Sequence, residues 1–257
     1  MELDEVAAYW EGNAETWTRQ ARAGYDVYRD ALNTPAFLDM LPPVAGIDGL
    51  DIGCGEGGNT RQVAALGARM TGIDVAPTFI RHAREAGGDI TYVEGDAHAL
   101  PFGDRSFDFA TAFMSLMDMP QPDKALTEAN RVLKSGGFLQ FSILHPCFVP
   151  PHRRTIRRLD GTTQAVEIAR YFDAVDGEID RWWFGATSPA ERATIGPFQV
   201  PRFHRTLSAW VDMIVAAGLV IEKLGEPMAS EAVAAAQPVV EDTRVVPIFL
   251  HMRARKP

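Results

Sequence analysis

The sequence predicts an α/β protein built on a doubly wound, mostly parallel β-sheet with helices on both faces. Strand and helix patterns alternate from residue 47 onward, which is typical of strand–helix–strand units. The first predicted strand runs directly into a glycine-rich turn, and aspartates stand at the ends of successive strands. At 257 residues the chain is long for one domain and short for two, so we expect one α/β unit with an insertion.

Residues 1–43 precede this alternation and are predicted to be helical, with breaks at Pro35, Pro42 and Pro43. We expect them to form an N-terminal helical lid over the ligand site. Tyr25 and Tyr28 lie three positions apart and would share one helix face. Packing is the simpler interpretation of these two rings, and contact with a bound cation is the alternative.

Residues 44–145 are predicted to form the ligand-binding core. Its strands are expected at 49–52, 70–73, 90–93, 107–113 and 138–144. Its helices are expected at 59–66, 77–86 and 122–133, the last of them ended by the Ser-Gly-Gly sequence at 135–137. Because strands and helices alternate, we expect the five strands to be parallel.

Two further segments follow the core. Residues 146–206 break the alternation with prolines, aromatic residues and a basic run, and we interpret them as an inserted cap over the substrate pocket. Residues 207–257 are predicted to complete the core sheet, after a helix at 206–217, with strands at 219–224 and 246–253. These two strands suit an antiparallel hairpin, which gives seven strands with the last one antiparallel.

The glycine-rich turn is the most informative motif. Gly53 and Gly55 allow a tight turn whose N–H groups approach a ligand, and the following helix directs its positive end to the same place. Asp51 stands two residues before the first of these glycines. A carboxylate there disfavours a pyrophosphate and suits an ammonium group, so the turn indicates S-adenosylmethionine (SAM) more than a dinucleotide.

The ends of the next strands extend this site. Asp74 lies 23 residues after Asp51, the spacing of one strand–helix–strand unit, and is placed to accept both ribose hydroxyls. Asp96 follows the third strand and could accept a hydrogen bond from the exocyclic amine of adenine. Phe113 and Met114 end the fourth strand, where the methionine portion would lie.

With these motifs the chain resembles the class I SAM-dependent methyltransferases, in the broad group of quinone-biosynthesis-type enzymes that act on small molecules. The matching segments are residues 50–59, 71–75, 95–102, 106–108 and 131–137. The resemblance implies a Rossmann-like fold, SAM as cofactor and S-adenosylhomocysteine (SAH) as product. It assigns to the cofactor site Asp51, Gly53, Gly55, Asp74, Asp96 and Ala97. Within the same segments, Cys54, Asn59 and Val75 are further candidates for cofactor contacts. The family often closes the cofactor with an N-terminal aromatic ring, for which Trp17 and Tyr25 are the candidates.

Candidates for the acceptor side are fewer. His145 follows the fifth strand and is the best-placed general base, and His204 is a second candidate. For either one, a packed or solvated histidine is the simpler interpretation. The basic run of Arg153, Arg154, Arg157 and Arg158 is more often a solvated face, although inward-facing guanidinium groups could hold an anionic substrate.

The composition of the chain limits the kinds of partner that we expect it to bind. A net charge of −9 disfavours nucleic acid and anionic membranes, so we expect a small-molecule acceptor. Two cysteines, no metal-ligand spacing and no leader or membrane-span pattern fit a cytoplasmic enzyme without a metal. An NAD(P)-dependent oxidoreductase and a non-catalytic SAM-binding protein stay open. The oligomeric state and the acceptor atom cannot be read from the sequence.

Overall fold

The computed structural model describes all 257 residues, and its strands and helices follow the predicted alternation. Eleven strands are present. They are β1 (Asp48–Ile52), β2 (Arg69–Asp74), β3 (Thr91–Glu94), β4 (Phe107–Phe113), β5 (Leu133–Leu144), β6 (His152–Arg157), β7 (Thr163–Ala169), β8 (Val175–Trp182), β9 (Phe198–His204), β10 (Val220–Gly225) and β11 (Phe249–Arg255).

Eight α-helices accompany the strands. They are α1 (Leu3–Arg22), α2 (Thr34–Met40), α3 (Gly58–Ala65), α4 (Pro77–Glu85), α5 (Pro122–Val132), α6 (Pro189–Arg192), α7 (Leu207–Ala216) and α8 (Glu231–Ala236). A π-helical turn precedes α2, and two 3₁₀ turns follow β4 and α8, at Arg29–Asn33, Leu116–Asp118 and Pro238–Arg244. None of the helices is both long and apolar enough to span a bilayer.

The central sheet confirms the predicted fold class. Its seven strands run in the order β10-β11-β5-β4-β1-β2-β3. Strands β1 to β5 pair in parallel, and β11 lies antiparallel between β5 and β10. Strand order therefore reverses between β1 and β4, and the carboxyl ends of the parallel strands meet at one edge. This is the place where doubly wound sheets bind ligands.

The core lies where the sheet meets its helices. Strands β4 and β5 are buried on both faces, as central parallel strands generally are. Phe141, Leu139 and Leu126 are fully buried in the largest apolar cluster. On the other side of the sheet, Phe37 of α2 packs on Phe113 with ring centroids 3.7 Å apart. The N-terminal segment is therefore anchored to the sheet.

Three sequence predictions about elements are corrected. The glycines at 136 and 137 do not end a helix in a loop, because α5 passes directly into β5. Pairing with β4 shifts there, from Leu133 opposite Phe107 to Phe138 opposite Phe109, and Gly136 takes a φ of 79° in this irregularity. Pro35 lies in the first turn of α2, where a missing N–H costs no helical hydrogen bond.

The third correction concerns residues 146–206, which contain more regular structure than expected. They form two antiparallel hairpins, β6–β7 and β8–β9. The β8–β9 hairpin contacts α1, where the Asn13 amide donates to the Gln199 carbonyl (2.8 Å) and accepts from the Gln199 N–H (3.2 Å). The exact boundaries proposed for lid, core, cap and C-terminal segment stay predictions.

Candidate functional site

A cavity of about 540 Å³ opens at the carboxyl ends of β1 to β4. Further wall residues come from α1 and the turn after it, from the segment after β4, from the β8–β9 hairpin, from Arg153 of β6, and from Asp242, Ile248 and Phe249. The glycine turn, the three predicted aspartates and the predicted residues after β4 all line it. These residues are Asp51, Gly53, Cys54, Gly55, Asn59, Asp74, Val75, Asp96, Ala97, Phe113 and Met114. One cavity thus brings together the residues that the sequence predicts for a cofactor.

The glycine turn is held in a shape that only glycine adopts easily. Gly53 and Gly55 have φ angles of 71° and 54°. The Gly53 and Cys54 N–H groups both donate to the Ile73 carbonyl (2.8 and 3.0 Å), which ties the turn to β2. A Cβ added at Gly53 would lie 2.4 Å from the Ser115 Cβ, whereas one added at Gly55 would meet no atom within 4 Å. The space beside Gly55 is therefore open to a ligand.

Asp51 is almost completely buried behind this turn. Its carboxylate oxygens accept hydrogen bonds from the Thr60 hydroxyl (2.5 Å) and the Thr111 hydroxyl (2.8 Å). Burial raises the pKa of Asp51 to about 6, against the opposing effect of the two hydroxyls and with a contribution from the charge of Asp74. Each oxygen keeps lone-pair capacity for one more donor, so the predicted ammonium contact stays a hypothesis compatible with these bonds.

The hypothesis has a pH signature. If an ammonium group pairs with ionised Asp51, protonation of Asp51 competes with binding, and affinity rises as the pH rises through about 6. Between pH 5 and 7 we expect the affinity for SAH to increase roughly tenfold and then level off. Titration calorimetry across this range measures it. In Asp51→Asn the Thr60 and Thr111 hydroxyls can reorient to an amide, and a pH dependence that persists there would assign the titration to another group.

Asp74 supports the glycine turn from β2. Its carboxylate accepts from the Gly55 N–H (2.8 Å) and the Ala76 N–H (3.0 Å). Burial raises the pKa of Asp74, and the backbone donors oppose this shift. Because the side chain also faces the cavity, it is positioned to receive two hydroxyls while it fixes the loop beneath them.

Asp96 is oriented by a neighbouring histidine. Its Oδ1 accepts from the His98 N–H (2.7 Å) and contacts His98 Nδ1 (2.8 Å). No protein donor engages Oδ2, and the side chain remains about one-third exposed on the cavity wall. The arrangement leaves one carboxylate oxygen for an amine donor such as that of adenine.

The two N-terminal aromatic candidates, Trp17 and Tyr25, differ in whether they line the cavity. Trp17 lines the cavity and packs on Phe184 and Phe198, with ring centroids 4.8 and 5.0 Å apart. Tyr25 is not part of the cavity wall, since its hydroxyl donates to the Glu191 carboxylate (2.6 Å) at the β8–β9 hairpin. Tyr28 lies on the wall in its place. The turn between α1 and α2 decides which tyrosine faces inward.

Neither histidine proposed as a base lies on this wall. His145 is buried, with Nε2 2.9 Å from the Glu226 carboxylate and Nδ1 3.2 Å from the Cys147 N–H. The Nε2 of His204 lies 2.8 Å from the Tyr171 carbonyl, and burial lowers the pKa of His204. Both rings are engaged by protein groups, so the structure offers no support for either as base, and that role stays a prediction.

The basic run is largely paired within its own region. Arg154 contacts the Glu167 carboxylate (2.7 Å) on the adjacent strand, and Arg157 and Arg158 donate to carbonyls of the β6–β7 turn. Arg153 alone lines the cavity, where it contacts the Asp242 carboxylate (3.0 Å). The run therefore does not form a clamp of free cations.

Among the charged residues of the cavity wall that sequence reasoning missed are Asp118, Asp180 and Arg202. Asp118 ends the 3₁₀ turn after β4, a position at the ligand edge that the sheet topology alone could have flagged. Asp180 and Arg202 lie on the β8–β9 hairpin, and their side chains are 3.3 Å apart. They could not be placed because the hairpin itself was not predicted.

The fold and this site resemble those of the class I SAM-dependent methyltransferases. Residues 50–141 match the family model described as a methyltransferase domain. A crystal structure of an S-adenosylmethionine-dependent methyltransferase from Mesorhizobium loti superposes with a TM-score of 0.71 at 27% identity, over 86% of this chain and 96% of that one.

Two relatives with assigned activities match parts of this chain. A demethylmenaquinone methyltransferase from Renibacterium salmoninarum is 34% identical over 157 residues, 57% of this chain and 62% of that protein. A malonyl-[acyl-carrier protein] O-methyltransferase from Pectobacterium atrosepticum is 28% identical over 145 residues, 56% of this chain and 57% of that protein. The matches span about six-tenths of these relatives, and the acceptors in their names differ.

Proposed function

We propose that this chain is an enzyme that transfers the methyl group of SAM to a small-molecule acceptor. The observation that carries the proposal is the meeting of Asp51, Asp74 and Asp96 with the glycine turn on one cavity wall. The open space beside Gly55 and the free Oδ2 of Asp96 fit the cofactor. SAM, when bound, supplies a methyl group activated by a positively charged sulfur.

The residues of the chain would mainly bind and align. Asp74 and Asp96 would hold ribose and adenine, and the region of Asp51, Phe113 and Met114 would hold the methionine portion. The aromatic cluster of Trp10, Trp17, Trp182 and Phe184 forms part of the cavity wall and would limit the access of water to the reacting groups. Holding two reactants in line can supply on the order of 7–11 kcal/mol of a barrier, so alignment alone is a sufficient role.

The cavity also supports a small acceptor. Its wall continues from the cofactor region to α1 and the β8–β9 hairpin, and its volume of about 540 Å³ suits a small molecule. With a net charge of −9, we expect neither nucleic acid nor an anionic membrane as partner, and we propose a cytoplasmic location.

Ligand binding followed by turnover tests the proposal. SAH at about 100 times its dissociation constant should stabilise the chain by about 2.7 kcal/mol, which raises Tm by roughly 5–10 °C in a domain of this size. NAD(P)H should leave Tm unchanged, and stabilisation by NAD(P)H alone would favour an oxidoreductase. SAH release from SAM across a broad acceptor panel distinguishes an enzyme from a non-catalytic SAM-binding protein.

A further inference from the structure

One carboxylate on the cavity wall has no partner in the protein. Eight carboxylates line the cavity, and seven of them accept a hydrogen bond or form an ion pair. The partnered ones are Asp26, Asp51, Glu56, Asp74, Asp96, Asp180 and Asp242. Asp118 accepts no hydrogen bond from the protein and forms no ion pair, and its side chain is partly exposed on the cavity wall, where a ligand can partner it.

Asp118 lies on the acceptor side of the predicted cofactor site. It follows Ser115, whose side chain lies against Gly53 of the glycine turn. The 3₁₀ turn that carries Asp118 packs against β9 of the β8–β9 hairpin. Burial and the nearby charge of Asp180 raise the pKa of Asp118 well above its usual range. Part of this shift comes from the charge of Asp180, so the hairpin side of the cavity places negative charge near Asp118.

The cavity offers no free cation to an anionic acceptor. Three arginines line it, and each contacts a carboxylate. Arg29 lies 2.7 Å from Asp30, Arg153 lies 3.0 Å from Asp242, and Arg202 lies 3.3 Å from Asp180. Eight carboxylates against three arginines leave a strongly negative wall, which repels a carboxylate or phosphate substrate.

Apolar side chains make up part of the cavity wall around Asp118. Met117 and Met119 flank it in sequence, and Trp182 and Val200 line the cavity from the hairpin. Such a pocket, apolar with one directed polar group, fixes the orientation of a ligand through that group.

We propose that the acceptor is an apolar molecule carrying an amine, and that Asp118 binds this amine as an ammonium group. The inference rests on the proposed function and adds the acceptor class to it. An ammonium group that gives one proton to a carboxylate oxygen of Asp118 becomes a neutral amine with a free lone pair, and Asp118 becomes a neutral carboxylic acid.

The test is binding of matched ligands to the full chain saturated with SAH. Each set contains three ligands that share one ring system and differ in carrying an aminoethyl, a hydroxyethyl or a carboxymethyl group. One such set is 2-phenylethylamine, 2-phenylethanol and phenylacetate. Ligand-observed NMR measures the binding of each ligand. Amines should bind at least tenfold more tightly than their alcohol and acid counterparts. Asp118→Asn should remove this advantage, and the exposed control Asp89→Asn should retain it.

The outcomes separate the two proposals. Failure of SAH to bind overturns the proposed function itself. If SAH binds, absence of amine binders, equal binding of the three ligand types, or an amine preference that survives in Asp118→Asn overturns the amine assignment alone. Asn has the shape of Asp and removes an unpaired charge, so Asp118→Asn should unfold no earlier than the parent chain, which thermal denaturation checks.

Discussion

Replacing Asp74 with alanine should weaken SAH binding on the order of 100-fold or more. The substitution removes the acceptor of the Gly55 and Ala76 N–H groups, so the glycine turn loses its support. It also removes the predicted partner of both ribose hydroxyls. Hydrogen bonds to charged groups contribute about 1.5–3 kcal/mol each, and about 1.4 kcal/mol is tenfold in affinity, so two such bonds give this magnitude.

Calorimetry with SAH measures the effect of Asp74→Ala. Asp89→Ala, on the exposed turn after α4, is the matched control and should bind SAH as the parent chain does. Asp74→Asn keeps one oxygen acceptor for a backbone N–H and should lie between the two. An affinity within threefold of the parent chain in Asp74→Ala would show that the cofactor is held elsewhere.

Gly55→Ala is expected to abolish measurable SAH binding while the chain still folds. The φ of Gly55 is 54°, a left-handed conformation that costs an alanine roughly 1–2 kcal/mol. An added Cβ meets no protein atom within 4 Å, so the fold accommodates it. That Cβ instead takes up space at the cavity wall where the backbone must approach the ligand.

Gly46→Ala is the control that distinguishes backbone strain from obstruction of the ligand site. Gly46 has a φ of 77°, its added Cβ also meets no atom within 4 Å, and it lies outside the cavity wall. Chemical denaturation should show similar losses of stability for both variants, whereas calorimetry should show normal SAH binding only for Gly46→Ala. Equal SAH affinities in the two variants would contradict the prediction that the ligand approaches the backbone at Gly55.

The predictable part of the fold is the part with short-range signals. Strands β1 to β5 alternate with helices along the chain, and this alternation predicts parallel pairing. The hairpins of residues 146–206 lack such a signal, because β6 and β7 are largely exposed and carry no continuous apolar face. Their partners include each other, α1, the 3₁₀ turn after β4 and Asp242, which local sequence does not encode.

The same distinction applies to the site. Asp51, Asp74 and Asp96 could be predicted because topology alone places strand ends at one edge. The orientations of Tyr25 and His145 could not, because each depends on a distant carboxylate. Glu191 holds the Tyr25 hydroxyl and Glu226 contacts the His145 ring. Asp118 lies at the predictable edge, but only the full set of partners distinguishes it from the other carboxylates.

A crystal structure of the full chain with SAH tests the central claim most directly. The account predicts SAH in the cavity at the ends of β1 to β4, with its ribose hydroxyls on Asp74, its adenine amine on Asp96 and its sulfur directed toward the Asp118 side. SAH bound at another place, or bound in this cavity with Asp74 and Asp96 making no contact to it, would contradict the account.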